Sequence, residues 1–438
     1  MNYLFLDVYK NTPYRISKDT AGGYGTANDL GDGLVGKCLS LAIKRAVHWP
    51  NLSFVQLMEQ LRSAGHNCHY RSVIEGTSIH FIEDFDAVFI CNSIVCFETE
   101  IAIAAKIAQT KKCPVFLCGT VFKHSENNPL EGVALLSGNY EFVDINLFSN
   151  QDSLINTLQK TELHTDVPNE DKELAPIGWG KNGIPLSRNV FLGGAKLFIP
   201  YIFNRGCPYS CAEYCTYPTS QGRKVFSPSI DQCINTLKFY EKSYGKTHVV
   251  FRDPVFSINI KKAKSLLHAI AEADLNMEFS AELHLRNLDD EFIQLAREAK
   301  FKTFKFGIES AFEHIRSSVK RISVDNDEQL TKIQQLKEQK IKSVGMFILA
   351  QPADDFETCE LTIDYACKLN LNIAQFSVFT PYPGTHFHSM IRDDITADSF
   401  EDYTQFKLVY KHRTLEPKRV RMLLEKSYKS FLISKMLQ

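Results

Sequence analysis

The sequence predicts an α/β protein: an N-terminal doubly wound, Rossmann-like parallel sheet, then a partial (β/α)6 TIM-like barrel with a C-terminal helical extension. Three observations predict it. Short apolar runs alternate with amphipathic stretches of helical length from Tyr3 onward, the order of a parallel sheet. The alternation restarts at Lys196, after a Gly/Pro-rich stretch, and runs through six strand–helix units. A cysteine-rich loop directly follows the first strand of that second series, where barrels of this kind carry their active groups.

In chain order, Tyr3–Val8 reads as a strand and is followed by a glycine-rich loop from Ala21 to Gly33. Leu52–Ala64 has helical apolar spacing, and Gly65 ends it as glycine commonly does just past a helix. Strands are expected near Cys68–Ser72, at Ala87–Cys91 and Val115–Cys118, with a weaker one near Phe142–Ile145, and a helix at Glu98–Ala108. Ligands on such a sheet sit outside the strand carboxyl ends, here at Asn92-Ser93, Gly119-Thr120 and Gly138-Asn139. Residues 1–150 form this expected domain. Residues 151–195 read as a helix and a polar linker with Pro176, Gly178, Gly180, Gly183 and Pro185. Residues 196–390 hold the barrel, with strands expected at Leu197–Phe203, His248–Arg252, Met277–Ala281, Thr303–Phe306, Ser343–Leu349 and Ile373–Phe379. Helical patterns lie between them near Ser229–Tyr244, Lys261–Ala273, Asp289–Lys300, Asp325–Gln339 and Asp355–Leu369. Residues 391–438 are the extension, in which Phe400–Gln438 reads as a basic amphipathic helix with apolar positions Val420, Leu423, Leu424, Tyr428, Phe431 and Leu432, expected to pack across the open side of the barrel.

Composition narrows the function classes. Lys+Arg number 50 against 51 Asp+Glu, with no long run of one sign, so there is no electrostatic footprint for nucleic acid or a membrane surface. No stretch approaches the ~20 apolar residues of a membrane helix, and Met1–Val8 is too short and too acidic for a signal core. The twelve cysteines therefore read as reduced thiols of a cytoplasmic protein.

Three of those cysteines, Cys207, Cys211 and Cys215, recur every fourth residue between Gly206 and Pro218. At that spacing a helix would align them as buried core residues. Gly206, Pro208 and Pro218 favour a loop that can converge three thiolates on one metal centre. A structural zinc site would want a fourth protein ligand, and neither a CxxC pair nor a nearby histidine offers one. The spacing points to an iron–sulfur cluster.

The cysteine stretch resembles the radical S-adenosylmethionine (SAM) superfamily, whose usual pattern C-x3-C-x2-C carries an aromatic residue before the third cysteine. Here Tyr214 keeps that place, but one residue is added, giving C-x3-C-x3-C. The resemblance implies a [4Fe-4S] cluster on Cys207, Cys211 and Cys215 whose open iron binds SAM and splits it to a 5′-deoxyadenosyl radical. It also implies a small-molecule substrate and a reducing partner such as a flavodoxin, ferredoxin or reductase. The phrases Gly307-Ile308-Glu309-Ser310 and Thr380-Pro381-Tyr382-Pro383-Gly384-Thr385 carry it further along the barrel. By it, Tyr214 flanks the adenine and Glu282 and Glu309 line the SAM pocket. Asp253 and Arg286 are further strand-end groups with a partner in SAM, although Asp253-Pro254 stands where relatives have a glycine-rich contact.

The N-terminal half resembles the cobalamin-binding-like domain that precedes many radical SAM domains, in Leu61–His66 and in the strand–helix–strand order over Ala87–Gly119. Cobalamin is thus a further candidate cofactor. The D-x-H-x-x-G signature is absent, since none of the thirteen histidines follows an aspartate by two residues. A cobalamin site and a bare scaffold both stay open at this point. The expected outcome leans to cobalamin-linked C-methylation, with cobalamin-free dehydration of a sugar or aminoglycoside-like diol as the alternative. A non-catalytic iron–sulfur carrier or sensor is the reading from another class.

Overall fold

A computed structural model describes residues 1–46, 49–78, 82, 84–111, 113–124, 130–169, 172–188, 197–209 and 213–437. The N-terminal sheet holds β1 (Asn2–Tyr9), β4 (Asn67–Ile74), β5 (Ala87–Cys91), β6 (Val115–Cys118), β7 (Val133–Gly138) and β8 (Glu162–Thr165). They run in the order β4-β1-β5-β6-β7-β8, all parallel. A two-strand ribbon, β2 (Ile16–Ser17) with β3 (Thr26–Ala27), lies in the long connection after β1. Side-chain alternation in β1 explains its continuous apolar character. Tyr3 and Phe5 enter the core on one face, with Phe5 stacked on Phe89 at 4.7 Å, while Leu4, Leu6 and Val8 enter a second core on the other. The helix Leu52–Ser63 starts where Asn51 accepts the Phe54 N–H and stops at Gly65, whose φ of +91° suits glycine.

The second sheet holds β9 (Ser187–Arg188), β10 (Leu197–Tyr201), β11 (Thr247–Phe251), β12 (Met277–Glu282), β13 (Phe301–Glu309), β14 (Lys342–Leu349) and β15 (Ile373–Val378). Their order is β15 through to β9, parallel except for the antiparallel β9. This is the expected curled α/β half-barrel. Its helices begin where the sequence signals them. Ser229, Asn259, Asp289, Asp325 and Asp355 each accept a backbone N–H two or three residues into the helix they cap.

Three expectations are corrected. The weak strand near Phe142–Ile145 is two 3-10 turns, Tyr140–Phe142 and Ile145–Phe148, and the sheet is completed instead by β7 and β8. Strand β8 escapes notice because an edge strand with one solvated side keeps polar residues, and Glu-Leu-His-Thr reads as linker. Part of the remaining linker likewise enters a sheet, as β9. The C-terminal helix covers only Pro417–Met436 of the extension. It packs beside β15, where the Tyr428 hydroxyl donates to Phe376 O at 2.7 Å and accepts the Phe376 N–H at 3.1 Å, satisfying an otherwise open strand edge. Among the described residues no helix is long and apolar enough to cross a membrane.

Candidate functional site

The cysteine stretch leaves the C-terminal end of β10 as a loop, without helical turns across the described residues from Cys207 to Cys215. Its base is closed by an antiparallel bridge between Arg205 and Phe226, with N···O distances of 2.9 and 3.0 Å. Gly206 follows at φ +79°, where a Cβ would sit 1.9 Å from Lys224 O, so the turn demands glycine. The Cys207 N–H donates to Gly222 O, and the Gly206 N–H to Gln221 Oε1. Pro218 then opens the short helix Tyr217–Gln221 immediately past Cys215. Cys207 is buried and Cys215 half-buried, whereas Cys211 lies outside the described residues. Two soft thiolate donors on one pinned excursion are a donor set that suits an iron–sulfur cluster.

Asp253, at the end of β11, is committed to this loop. It is 1% exposed, and its Oδ1 accepts the Asn204 N–H. Asn204 in turn donates to Phe256 O and accepts from Ser227 Oγ at 2.7 Å. Burial pushes the Asp253 carboxyl up to about 7. A folded-state pKa above the unfolded value means that the native state holds the proton more tightly. Stability is then greatest at acid pH and falls by on the order of 1.4 kcal/mol per pH unit between about 4 and 7. Asp253→Asn keeps an acceptor for Asn204 and removes the titration. Its melting temperature should therefore lose that part of the pH dependence, as scanning calorimetry between pH 5 and 8 would record.

Around the barrel mouth, Glu282 ends β12 and Glu309 ends β13 at φ +68°. Arg321 pairs with Glu309 at 3.2 Å, and Gly307 leaves room for both, since a Cβ there would meet Glu309 Oε1 at 2.3 Å. Desolvation raises both carboxyl pKa values against the pull of nearby arginines. Tyr214 packs edge-on against Phe379, just past β15, at 5.1 Å, so the residue before the third cysteine reaches the far side of the mouth. Arg286 is exposed and lies over the Tyr209 ring at 4.7 Å, covering the cysteine loop from outside. Acidic groups and aromatic rings beside the cysteines suit the ribose hydroxyls, ammonium and adenine of SAM.

Sequence reading missed the groups inside the barrel. Glu282 on β12 is in register with Lys305 on β13, and His248 on β11 bonds Ser280 of β12 at 3.1 Å. Polar residues at alternate positions within barrel strands were the available signal. Arg252, just past β11, pairs with Asp19 of the long connection after β1 at 3.0 Å. Trp49 donates its indole N–H to the same carboxylate, and the guanidinium groups of Arg15 and Arg252 lie over its ring at 5.8 and 5.9 Å. Burial, reinforced by Arg252, pushes the Lys305 ammonium down to about 8. Tyr217 lies within electrostatic reach of Glu282, Arg252, Cys215 and Asp19, which places this group beside the third cysteine.

The strand ends of the N-terminal sheet are filled. At the switch point between β1 and β5, Lys18 is fully buried and pairs with Asp7 at 2.8 Å and Glu100 at 2.7 Å. Tyr9 and Tyr70 donate to Asp7, while Asn92 and Ser93 donate to Glu100. Burial opposes the Lys18 charge, but the two carboxylates outweigh it and hold its pKa well above the ordinary value. The glycine-rich loop then abuts the barrel. A Cβ on Gly22 would meet Ser220 Oγ at 2.5 Å, Tyr24 donates to Pro383 O, and Tyr382 donates to Gly25 O. Lys18 and its two carboxylates thus occupy the β1–β5 switch point itself, and the glycine-rich loop faces the barrel beside it.

Residues 201–366 match the family model described as the Radical SAM superfamily. An uncharacterized methyltransferase of Pyrococcus horikoshii is 26% identical over 232 residues, covering 52% of this chain and 50% of that protein. Bacteriochlorophyllide d C-8(2)-methyltransferase of Chlorobaculum tepidum is 26% identical over 268 residues, covering 59% and 58%. The chain thus spans about half the length of the curated relatives it matches. Among solved structures, the radical SAM methyltransferase TsrM from Kitasatospora setae, with cobalamin and a [4Fe-4S] cluster bound, matches with a TM-score of 0.62 at 14% identity. That match covers 98% of this chain and 91% of TsrM. The cobalamin-dependent SAM radical enzyme OxsB, with aqua-cobalamin and SAM bound, matches at 0.55 and 11% identity, covering 100% of this chain and 56% of OxsB. At these identities the two solved structures establish the fold alone.

Proposed function

We propose that this chain, which carries a radical SAM domain over residues 201–366, is an enzyme that removes a hydrogen atom from a small-molecule substrate held in the barrel mouth. The observation that carries the reading is the pinned loop of Cys207 and Cys215 at the end of β10, opening beside Glu282 and Glu309. A [4Fe-4S] cluster bound by Cys207, Cys211 and Cys215 would supply the electron that splits SAM into methionine and a 5′-deoxyadenosyl radical. The chain's own residues do the rest. Arg205, Gly206 and Asp253 hold the loop in place, Glu282 and Glu309 orient SAM, and Tyr214 with Phe379 screens the mouth from water. A flavodoxin, ferredoxin or reductase would deliver the electron to the cluster.

The names of the relatives support C-methylation as the outcome. The Lys18-filled crevice favours a second reading, cobalamin-free elimination of water from a diol-bearing substrate. One experiment tests both levels. Anaerobically reconstituted protein with dithionite and SAM should release 5′-deoxyadenosine, and an absence of cleavage at full iron loading would overturn the enzyme reading. Uptake of one equivalent of added cobalamin, seen in its visible spectrum, with formation of S-adenosylhomocysteine would decide for methylation. Cleavage with no cobalamin uptake would decide for elimination.

A further inference from the structure

Three cations, Arg15, Arg252 and Lys305, and two carboxylates, Asp19 and Glu282, share the interior of the barrel around Trp49. The neighbouring Arg321 and Glu309 pair with each other and cancel. Within this cluster the cations outnumber the carboxylates by one, the further acid Glu278 of β12 being paired with His248 at 3.6 Å. Several of these groups also lack partners. Arg15 Nε, Arg252 Nε and Asp19 Oδ1 are buried without a hydrogen bond, and the Asp19 side chain is only 2% exposed. Lys305 feels the charges of Glu282, Arg252, Arg15 and Asp19 around it. A buried donor or acceptor left without a partner is costly, so such a set points to a group that completes it.

The set is also built from two parts of the chain. Arg252, Glu282 and Lys305 come from consecutive barrel strands or their ends, whereas Arg15, Asp19 and Trp49 come from the N-terminal connections. Trp49 is seated on Phe198 and Val250, and its ring carries both guanidinium groups within cation–π range. Lys305 lies four residues before Glu309 on β13, at the level of its register partner Glu282.

We propose that this pocket holds an anionic group of the substrate, a carboxylate or phosphate, with a hydroxyl or ammonium of the same molecule donating to Asp19. The inference rests on the radical SAM reading above and specifies its substrate class. The Arg252 and Arg15 guanidinium groups would make charge-assisted hydrogen bonds to the anion, and Lys305 would contribute a point charge from the neighbouring strand. Tyr217 links the pocket to Cys215, so a substrate anchored here lies next to the radical source. The same chemistry could serve the carboxylate of SAM, and the test separates the two sources.

Calorimetry on the full-length, cluster-loaded protein would measure binding of inorganic phosphate, pyrophosphate and citrate at millimolar concentration, with and without saturating SAM. At least one should bind with SAM present. Lys305→Met and Arg15→Gln should each weaken it about tenfold or more, the scale of one charged hydrogen bond. Lys305→Arg should restore it, and SAM affinity and iron content should stay within about twofold of the parent. Circular dichroism checks that the variants fold. Failure of all three anions to bind would overturn the proposal, as would anion binding abolished by SAM together with an equal loss of SAM affinity in both variants. Anion binding does not need SAM cleavage, so an inactive parent protein would count against the enzyme reading and leave this result standing.

Discussion

Alanine at Cys207, Cys211 or Cys215 is expected to leave the reconstituted protein without its [4Fe-4S] cluster and without any SAM cleavage. The loop offers three thiolates and no substitute, because the other described cysteines lie elsewhere in the fold and most are buried in apolar surroundings. Cys233 is the control. It is buried on the helix Ile230–Tyr244, and desolvation pushes its thiol up to about 12, a protonation state that does not ligate metal. Cys233→Ala should keep full iron and activity and lose on the order of 1 kcal/mol of stability from the small void. Iron and sulfide analysis with 5′-deoxyadenosine measurement reads both arms. A Cys211 variant with full iron and activity would remove the basis of the cluster assignment.

Lys18→Met is expected to destabilise the protein by about 3–5 kcal/mol, because it leaves Asp7 and Glu100 buried with no cation between them. The linear side chain of Met fills most of the space, so the loss is electrostatic. In the variant the Glu100 carboxyl is raised further above its unfolded value, and a raised carboxyl favours the folded state at low pH. The deficit should shrink as pH falls and grow as pH rises. Adding Glu100→Gln to Lys18→Met should recover part of it, since a neutral amide can still meet Ser93 and Asn92. Urea denaturation at pH 5 and pH 8 measures both effects. A loss under 1 kcal/mol, independent of pH, would mean that the network is open to water.

Much of the architecture was legible because its signals are local. The apolar runs of β1, β5 and β6 fall within a few residues of their observed bounds, and the capping residues Asp289, Asp325 and Asp355 stand where the helical patterns begin. The placing of Gly206 and Pro218 around Cys207, Cys211 and Cys215 announced a loop without any knowledge of its surroundings, and the described residues from Cys207 to Cys215 form no helix. Glu282 and Glu309 could be named because strand ends of a parallel barrel converge wherever the strands are found. Edge strands were not legible. β8 and β9 are short and polar, and only pairing with a neighbour makes them strands.

By itself, then, the sequence determined the two parallel sheets, the cysteine loop at the end of β10 and the acids around the mouth. Each of these depends on periodicity, caps or spacing within one stretch of chain. Only the tertiary structure decided that Lys18 fills the crevice of the first sheet, that Asp253 serves the loop's backbone, and that Arg15, Asp19 and Trp49 reach into the barrel beside Arg252 and Lys305. Those are meetings of residues far apart in the chain. A charge's role there depends on which opposite charge and how little water surround it, and neither is written in its own neighbourhood of the sequence.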